Sequence, residues 1–298
     1  MADLVALMES AELPPWRREW SGHQGQHRNL ISGHEYRGAN PILLEIGAML
    51  RGHTLPLWLG AAEGKARGWW PRKGCKATRI VRPQLNKREQ TDANGQPVTG
   101  PDGSPMVAAW VSFKPVCVFN AADLQGHDEE TAAALAAAIT AALGQDNQRP
   151  AAARLETAEA TLEAWPVPTS WGGVLPCYSV TADQIRMPAA EAFETREAFC
   201  ATWAHEQAHS TGHKDRLPRD MSGSQGSKAY AREELVAELA SVLICYRLQI
   251  GCQLANHAAY LKQWAQMLRE EPRALFKVLS DARKAADLIA PETAAEEA

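Results

Sequence analysis

The sequence predicts an α+β protein, in which a small α+β domain with an antiparallel sheet precedes a mostly helical domain. Residues 106–120 are rich in β-branched and aromatic side chains, which favour a strand, and residues 75–82 alternate loosely between apolar and basic side chains. After Pro188, apolar side chains recur at helical spacing almost to the end of the chain. Strands in the first part and helices in the last part are typical of an α+β fold.

Each element of the first domain follows from a local pattern. Residues 1–12 are expected to form a helix, which the prolines at 14 and 15 end. Pro41 suits the first turn of a second, apolar helix that runs to Met49. The polar residues 86–105 contain the turn dipeptides Asn94-Gly95 and Asp102-Gly103, so we expect a hairpin arm or a loop there.

The rest of the chain divides at an Ala-rich segment. Residues 126–165 are expected to form two helices that act as a linker or insert between a first domain, residues 1–125, and a second domain, residues 166–290. One strand is expected near residues 176–180. The helices predicted in the second domain are residues 191–212, 228–249, 253–269 and 272–289. The acidic residues 291–298 are expected to be disordered.

Composition is typical of a globular cytoplasmic protein. Hydrophobic residues make up 45% of the chain and charged residues 22%. No apolar run reaches about 18 residues, so no membrane span and no membrane partner are expected. The amino terminus lacks the basic and apolar regions of a secretory signal. The 6 cysteines form no C-x-x-C motif, which is typical of reduced, buried thiols.

Charge is divided unevenly along the chain. Residues 1–118 contain 15 basic and 10 acidic side chains, whereas the remaining residues contain 16 basic and 25 acidic ones. Such a difference between the two parts of a chain favours a first domain that faces nucleic acid.

The segment from His205 to His209 reads H-E-x-x-H and predicts a metal site. At 3.6 residues per turn, the two histidines lie on the same face of one helix and can bind one ion. Glu206 lies about 100° around the helix, where it reaches a metal-bound water without being a ligand. A bound metal lowers the pKa of its water to about 7, and Glu206 is expected to accept the proton as the general base of a hydrolase.

Two residues compete for the third ligand position. Gly212 could turn the chain so that Asp215 returns to the metal, as a third histidine does in metzincins. In gluzincins a second helix supplies the third ligand, and Glu234 fits that role, with Glu238 one turn later expected to orient a ligand histidine. We favour Glu234, because Asp215 lies in a charged run that is simpler to explain as surface. Two histidines and a glutamate favour Zn²⁺, with Mn²⁺ as the alternative divalent ion.

Aromatic and basic residues are interleaved in the first domain, a pattern typical of single-stranded DNA binding. Trp58 and Trp110 lie inside apolar runs and are expected in the core. Trp69 and Trp70 are neighbours, so on a strand they cannot both point inward, and at least one is expected to be exposed. The residues predicted to bind DNA are Trp16, Arg17, Tyr36, Arg37, Asn40, Trp69, Trp70, Arg72, Lys73 and Lys76.

Several motifs together resemble a known family. In the first domain they are Trp16…Trp20, Tyr36-x-Gly38-x-Asn40, Trp70-x-x-Lys73-Gly74 and Phe119-Asn120, and in the second domain they are the segment 205–213, Arg216-Leu217 and the segment 230–239. With these motifs the first domain resembles the N-terminal domain of ArdC-type antirestriction proteins, which is shared with TraC primases of conjugative plasmids. The second domain looks like the zincin-like peptidase domain joined to it in that family.

The resemblance implies single-stranded DNA binding, a SprT-like metallopeptidase fold, and protection of incoming plasmid DNA from restriction. It also implies His205, His209 and Glu234 as metal ligands, with Glu206 as the base. One hypothesis is a DNA-tethered zinc peptidase that cuts a DNA-bound protein. The other is a DNA-binding module whose metal site is structural or docks a partner. Three ligands leave one position open, whereas structural zinc sites usually have four, so the geometry favours the enzyme.

Overall fold

A computed structural model of the protein describes residues 2–10, 26–91, 96–144, 150–251 and 258–292. Trp16, Arg17, Trp20, the predicted Asn94-Gly95 turn and the end of the acidic tail lie outside the described residues.

Strands and helices are mixed up to residue 187, and the elements after it are helical. The helices are α1 (Ala2–Ser10), α2 (Asn40–Met49), α3 (Ala61–Lys65), α4 (Glu129–Gly144), α5 (Ala151–Glu163), α6 (Arg196–Ser210), α7 (Lys228–Leu248), α8 (Ala258–Glu270) and α9 (Ala274–Ile289). The strands are β1 (Arg28–Asn29), β2 (Leu57–Gly60), β3 (Trp69–Pro71), β4 (Thr78–Glu89), β5 (Val107–Asn120), β6 (Leu124–Gly126), β7 (Thr169–Trp171), β8 (Cys177–Ser179) and β9 (Gln184–Met187). The predicted α+β class is confirmed.

The larger sheet has the strand order β1-β2-β5-β4 and is antiparallel except for the short β1–β2 pair. Strands β3 and β6 form a separate two-stranded ribbon beside it. Trp58 on β2 is 1% exposed and donates its indole N–H to Nδ1 of His27 at 3.0 Å, which confirms its predicted place in the core.

Helix α2 is apolar on two sides because it lies between two cores. Leu44 and Ala48 pack against the sheet, whereas Ile42 and Ile46 pack into the core of the helical domain. The helix approaches β4 closely at Gly47, where an added Cβ would lie 2.4 Å from the hydroxyl oxygen of Thr78. A side chain at this position would push the helix off the sheet.

Strands β4 and β5 form a long hairpin that extends beyond the rest of the sheet. Strand β2 pairs with β5 only at residues 118–120, so the distal part of the hairpin is a ribbon of two strands. Trp110 lies on this ribbon and is 48% exposed. The prediction that Trp110 is a core residue is therefore wrong, because no further layer covers the hairpin at that point among the described residues.

The Ala-rich segment belongs to both halves of the molecule. Helix α4 packs through Leu135 onto the apolar cluster of the sheet that contains Trp69. Helix α5 packs through Ala158 and Leu162 into the core of the helical domain. Helix α1 joins that same core through Leu4, Val5 and Met8, although it stands at the start of the chain. The predicted domain boundaries stay a prediction, but the two cores do not follow them.

The helical domain is built around α6 and α7. Helices α5, α8 and α9 pack around this pair, and Trp264 on α8 donates its indole N–H to the carbonyl oxygen of Ala231 on α7 at 2.9 Å. A three-stranded sheet of order β7-β9-β8 lies beside α6, linked to it by the indole N–H of Trp203, which donates to the hydroxyl of Thr169 at 3.3 Å. Within the described ranges, no helix is long and apolar enough to cross a bilayer.

Candidate metal centre and nucleic-acid surface

Helix α6 carries the H-E-x-x-H motif into the interior of the helical domain. Thr195 begins the helix, since its side chain accepts a hydrogen bond from the backbone N–H of Ala198 at 3.0 Å. Small buried residues, including Ala204 and Ala208, allow neighbouring elements to approach closely. The rings of His205 and His209 lie one turn apart, 4.7 Å between centroids and nearly perpendicular.

Helix α7 brings acidic residues against that face of α6. The hydroxyl of Ser227 accepts the N–H of Tyr230 at 3.1 Å and begins the helix. Glu233, Glu234 and Glu238 are all buried, which is rare for glutamate unless the carboxylate has a partner. Packing of α7 on α6 buries all three carboxylates, and Glu233 and Glu234 lie 3.2–3.7 Å from ring nitrogens of the two histidines.

Three donor groups converge between the two helices. His205 Nε2 lies 3.1 Å from His209 Nε2 and 3.7 Å from Glu234 Oε2. His209 Nε2 lies 3.6 Å from Glu234 Oε1. Ligands arranged tetrahedrally at about 2.0–2.1 Å from one ion would stand roughly 3.4 Å apart. The three separations bracket that distance, so these residues fit a single divalent ion.

Carboxylates dominate the electrostatics of the site and favour the binding of a cation. Burial disfavours the charged form of His209, but the hydrogen bond that Glu233 accepts from it and the charges of Glu233, Glu234 and Glu206 outweigh burial and raise the pKa of His209 to about 9. Burial likewise raises the pKa of Glu234, yet its interactions with His205 and His209 dominate and lower the pKa to about 2. Carboxylates kept ionised in the interior attract a cation.

A second carboxylate, that of Glu233, contacts the ring nitrogen of His209 that faces away from the three donors. Glu233 Oε1 lies 3.2 Å from Nδ1 of His209, and Arg219 donates to both oxygens of Glu233 at 2.8 Å. Arg219 also donates to the carbonyl oxygen of Ala208 and to the hydroxyl of Thr211, each at 2.8 Å. This connection ties the end of α6, the following loop and α7 together, and it orients the imidazole whose Nε2 faces the other donors.

No sequence pattern assigned a role at the metal site to Glu233 or Arg219. Glu233 is adjacent to Glu234, and only the packing of α6 on α7 decides which of the two carboxylates faces Nε2 and which faces Nδ1. Arg219 lies in the loop between the helices, where no spacing rule relates it to a metal motif.

The other residues predicted near the metal have distinct environments. Glu206 is 7% exposed and acts electrostatically on His209 without joining the group of three donors. Glu238 is fully buried, and its expected role in orienting a histidine stays a prediction. The side chain of Asp215 is 68% exposed and pairs with Nδ1 of His213 at 3.4 Å. The structure thus brings Glu234, and not Asp215, to the two histidines.

Several residues predicted to bind DNA have partners within the fold, and their role in DNA binding stays a prediction. Trp69 is 5% exposed and donates its indole N–H to the carbonyl oxygen of Thr131 at 3.0 Å, so its ring faces the core and not solvent. The side-chain amide of Asn40 makes two hydrogen bonds of 2.9 Å with the backbone of Val81. Tyr36 packs against the sheet, and burial raises the pKa of its hydroxyl to about 12.

Four described residues of that set, Trp70, Arg72, Lys73 and Lys76, face solvent. Trp70 is 41% exposed, with Nζ of Lys65 lying 5.4 Å from the centroid of its ring. The expectation that at least one of Trp69 and Trp70 is exposed is confirmed. Arg72, Lys73 and Lys76 are exposed, and Arg37 is half-buried.

Comparison with known proteins matches both halves of the chain. Residues 1–119 match the N-terminal domain of the anti-restriction factor ArdC, and residues 156–281 match a zincin-like metallopeptidase family. Two DNA primases TraC of Escherichia coli are 32% and 30% identical over 97% of this chain, which covers only 26% and 19% of their lengths. An uncharacterised protein, y4eC of Sinorhizobium fredii, is 30% identical over 96% of this chain and 88% of its own length.

Solved structures with the same fold include the antirestriction protein ArdC of plasmid R388. The metal-free form is 30% identical, with a TM-score of 0.64, and the match covers 97% of this chain and 94% of that one. The Mn(II)-bound form is 27% identical, with a TM-score of 0.65, over 99% of this chain and 97% of that one.

Proposed function

Since this chain belongs to the ArdC family of antirestriction proteins, we propose that it binds single-stranded plasmid DNA entering a cell by conjugation, protects that DNA from restriction, and acts as a metal-dependent peptidase. The site of action would be the cytoplasm, where incoming DNA meets restriction enzymes. A protein bound to the same DNA is the proposed peptidase substrate.

The observation that carries the peptidase proposal is the convergence of three donors with a carboxylate beside them. His205, His209 and Glu234 would hold the ion, and a three-ligand site leaves a position open for a reactant. A divalent ion bound there would act as a Lewis acid in peptide hydrolysis. His/His/Glu ligands favour Zn²⁺, and Mn²⁺ is an alternative, since the relative from plasmid R388 has a Mn(II)-bound form.

Residues of the chain would transfer the proton, orient a histidine ligand and supply negative charge. Glu206, buried next to His209, would accept a proton from the attacking water and later return it to the leaving amine. Glu233 and Arg219 would keep the imidazole of His209 oriented. Glu234 stays ionised, since its pKa is about 2, so its charge is available to a cation at neutral pH.

A substrate peptide has an edge to pair with. In the sheet order β7-β9-β8, strand β8 has a neighbour on one side only among the described strands, and it lies next to α6. A peptide extended along residues 176–180 would pair through its backbone with that edge and would lie next to α6, the helix that carries His205 and His209.

Four assays on the full chain test the proposal: bound metal, affinity for single-stranded DNA, proteolysis of a DNA-bound protein, and protection of plasmid DNA. Glu206→Gln is expected to retain bound metal and DNA affinity, while proteolysis of a protein bound to single-stranded DNA falls by about 10²–10⁴-fold. Glu234→Ala is expected to lose both metal and proteolysis. The fourth assay measures protection of incoming plasmid DNA in a recipient strain.

The outcomes separate two hypotheses. If wild type and Glu206→Gln protect DNA equally and neither cleaves a DNA-bound protein, protection rests on DNA binding, and the metal site is structural or docks a partner. If wild type does not bind single-stranded DNA at all, the proposal fails in both forms.

A further inference from the structure

The hairpin of β4 and β5 presents two chemically different faces. In the register of this pair, each even-numbered residue of β4 lies opposite an even-numbered residue of β5, and each odd-numbered residue opposite an odd-numbered one. Since side chains alternate between the two faces of a strand, one face of the hairpin carries the even positions of both strands. We call this the Trp110 face, formed by Arg82, Gln84, Asn86, Arg88, Trp110 and Lys114. The opposite, odd-numbered face carries the exposed apolar side chains of Leu85, Val111 and Phe113, and we call it the Phe113 face.

The Trp110 face continues a surface that α2 covers only at its base. Ile80 and Val116 oppose each other there and pack with Leu44 of α2. One pair further along the hairpin, Arg82 opposes Lys114, and both side chains are exposed. The face therefore changes from core to solvent at this pair.

The pairing of Arg82 with Lys114 indicates an anionic ligand. Like charges directly opposite each other on neighbouring strands are destabilising unless something compensates them. Strands β4 and β5 contain 5 basic residues and 1 acidic residue. Across the described parts of the chain, no ion pair includes Arg82, Arg88 or Lys114. A chain of phosphates would satisfy these cations.

The same face offers a platform for an unpaired base. Trp110 is 48% exposed on a ribbon that no other described element covers, and it lies directly opposite Asn86. The amide of Asn86 is held in place, donating to the hydroxyl of Ser112 at 2.7 Å. Arg82 and Arg88 lie about 20 Å apart along the strand, at roughly 3.3 Å per residue. Cations therefore stand on both sides of an exposed indole, an arrangement that suits single strands, whose bases are free to stack.

We propose that single-stranded nucleic acid runs along the Trp110 face, with phosphates at Arg82, Lys114 and Arg88 and one base stacked on Trp110. This inference rests on the proposed function, and it adds residues that the sequence alone placed in the core or did not single out. The Phe113 face is the weaker choice, because it carries two cations, Arg79 and Lys87, and the acidic Glu89, whereas the Trp110 face carries three cations and no acidic residue. Leu85 and Val111, which flank the ring of Phe113, offer no contact to phosphate.

The test uses the full chain and a fluorescein-labelled oligo(dT) of about 20 nucleotides, longer than the roughly 4–16 nucleotides of a common single-strand site. Trp110→Ala is expected to weaken binding about 5- to 150-fold, the loss of one stacked base, without changing the salt dependence. The double variant Arg82→Gln, Lys114→Gln is expected to lower the slope of log affinity against log salt by about 1.4, since each phosphate contact on a single strand contributes about 0.7.

Matched controls lie on the other face of the same ribbon. Phe113→Ala removes an aromatic ring that is 58% exposed, and Lys87→Gln removes a cation, so both are expected to leave affinity and salt slope unchanged. Far-ultraviolet circular dichroism and the thermal midpoint of each variant check that the fold is retained.

Three results would overturn the inference. Loss of binding in Phe113→Ala and Lys87→Gln but not in Trp110→Ala would assign the strand to the Phe113 face. Full binding in every hairpin variant would place the strand elsewhere, for example at Trp70, and would leave the proposed function intact. Absence of binding by wild type would remove both the inference and the DNA-binding function beneath it.

Discussion

At the scale of single residues, the centre of this protein is defined by which atoms of adjacent side chains face each other. Glu233 and Glu234 are neighbours in sequence, yet one contacts Nδ1 of His209 and the other approaches Nε2 of both histidines. The two carboxylates therefore have different roles, and substitutions at the site are expected to have different consequences for the metal.

The first prediction concerns the third ligand. Glu234→Ala is expected to remove most bound metal, because two histidines alone leave an ion with too few protein donors. Asp215→Ala is the matched control, since its exposed carboxylate pairs with His213 instead. Metal content of the purified full chain, measured by mass spectrometry, decides the matter, and full occupancy in Glu234→Ala with loss in Asp215→Ala would show that the ligand is Asp215.

The second prediction concerns Arg219. Its guanidinium holds Glu233 against His209, so Arg219→Gln is expected to weaken metal binding about 10–100-fold while leaving all three donors in the chain. Competition with a chelator measures the affinity. Arg232→Gln is the control, because Arg232 lies on α7 next to Glu233 but pairs with the exposed Glu271. An unchanged metal affinity in Arg219→Gln would mean that the position of Glu233 does not depend on it.

At the scale of elements, one ion pair joins the small sheet to the end of the metal helix. Arg216 donates to the carboxylate of Asp183 and to the hydroxyl of Tyr178, and its Nε donates to the carbonyl oxygen of Ser210 at 2.7 Å. Asp183 has a positive φ of 45°, a conformation that asparagine adopts as readily as aspartate. Asp183→Asn thus removes the charge and keeps the backbone.

The third prediction is the pH dependence of this pair. The hydrogen bond from Arg216 lowers the pKa of Asp183 to about 2, below the ordinary value of 3.8. Because the pKa is lower in the folded state, the stabilisation is complete above about pH 4 and is lost as the pH falls toward 2. Partly exposed pairs are worth about 0.5–1 kcal/mol, so Asp183→Asn is expected to lower the free energy of unfolding by that amount at neutral pH.

Urea unfolding at several pH values measures the difference between wild type and Asp183→Asn. The difference is expected to shrink as the pH approaches 3, and a difference that stays constant or grows would contradict the assignment. Glu191→Gln, which removes an exposed acid from a nearby segment, is expected to have no effect.

At the scale of the whole molecule, the first helix of the chain is part of the last domain's core. Met8 is 1% exposed and packs with Leu4 and Val5 in the cluster that contains Trp264 and Leu268 of α8. The family model that matches residues 1–119 therefore includes a helix that stabilises the metal-binding half. Separating the two halves at residue 125 would remove α1 from its partner.

The fourth prediction follows from that packing. Met8→Ala is expected to lower the free energy of unfolding by about 2–5 kcal/mol and to speed hydrogen exchange in α8, with the sheet of β2, β4 and β5 unaffected. Ala6→Ser, an exposed change in the same helix, is expected to stay within about 0.5 kcal/mol of wild type. Faster exchange confined to the sheet would place α1 with the other half.

Elements with strong local patterns could be predicted from the amino-acid sequence. The α+β class follows from the change of apolar period along the chain, and α6 with its two histidines follows from a motif in which every contact lies within one helical turn. A spacing of four residues places two imidazoles together whatever the remainder of the fold does, so this part of the site was predictable.

Contacts between residues from distant segments became visible only in the folded protein. The contact of Glu233 with His209 and the reach of Arg219 depend on how helices pack. The burial of Trp69 beside the exposed Trp70, and the exposure of Trp110, depend on what covers each strand. Packing is a property of pairs of elements that no local period encodes, even though the sequence favoured Glu234 as the third ligand. Trp110 shows this most plainly: its apolar neighbours predict a core, but a core requires a second layer, and β5 extends beyond the strands and helices that could provide one.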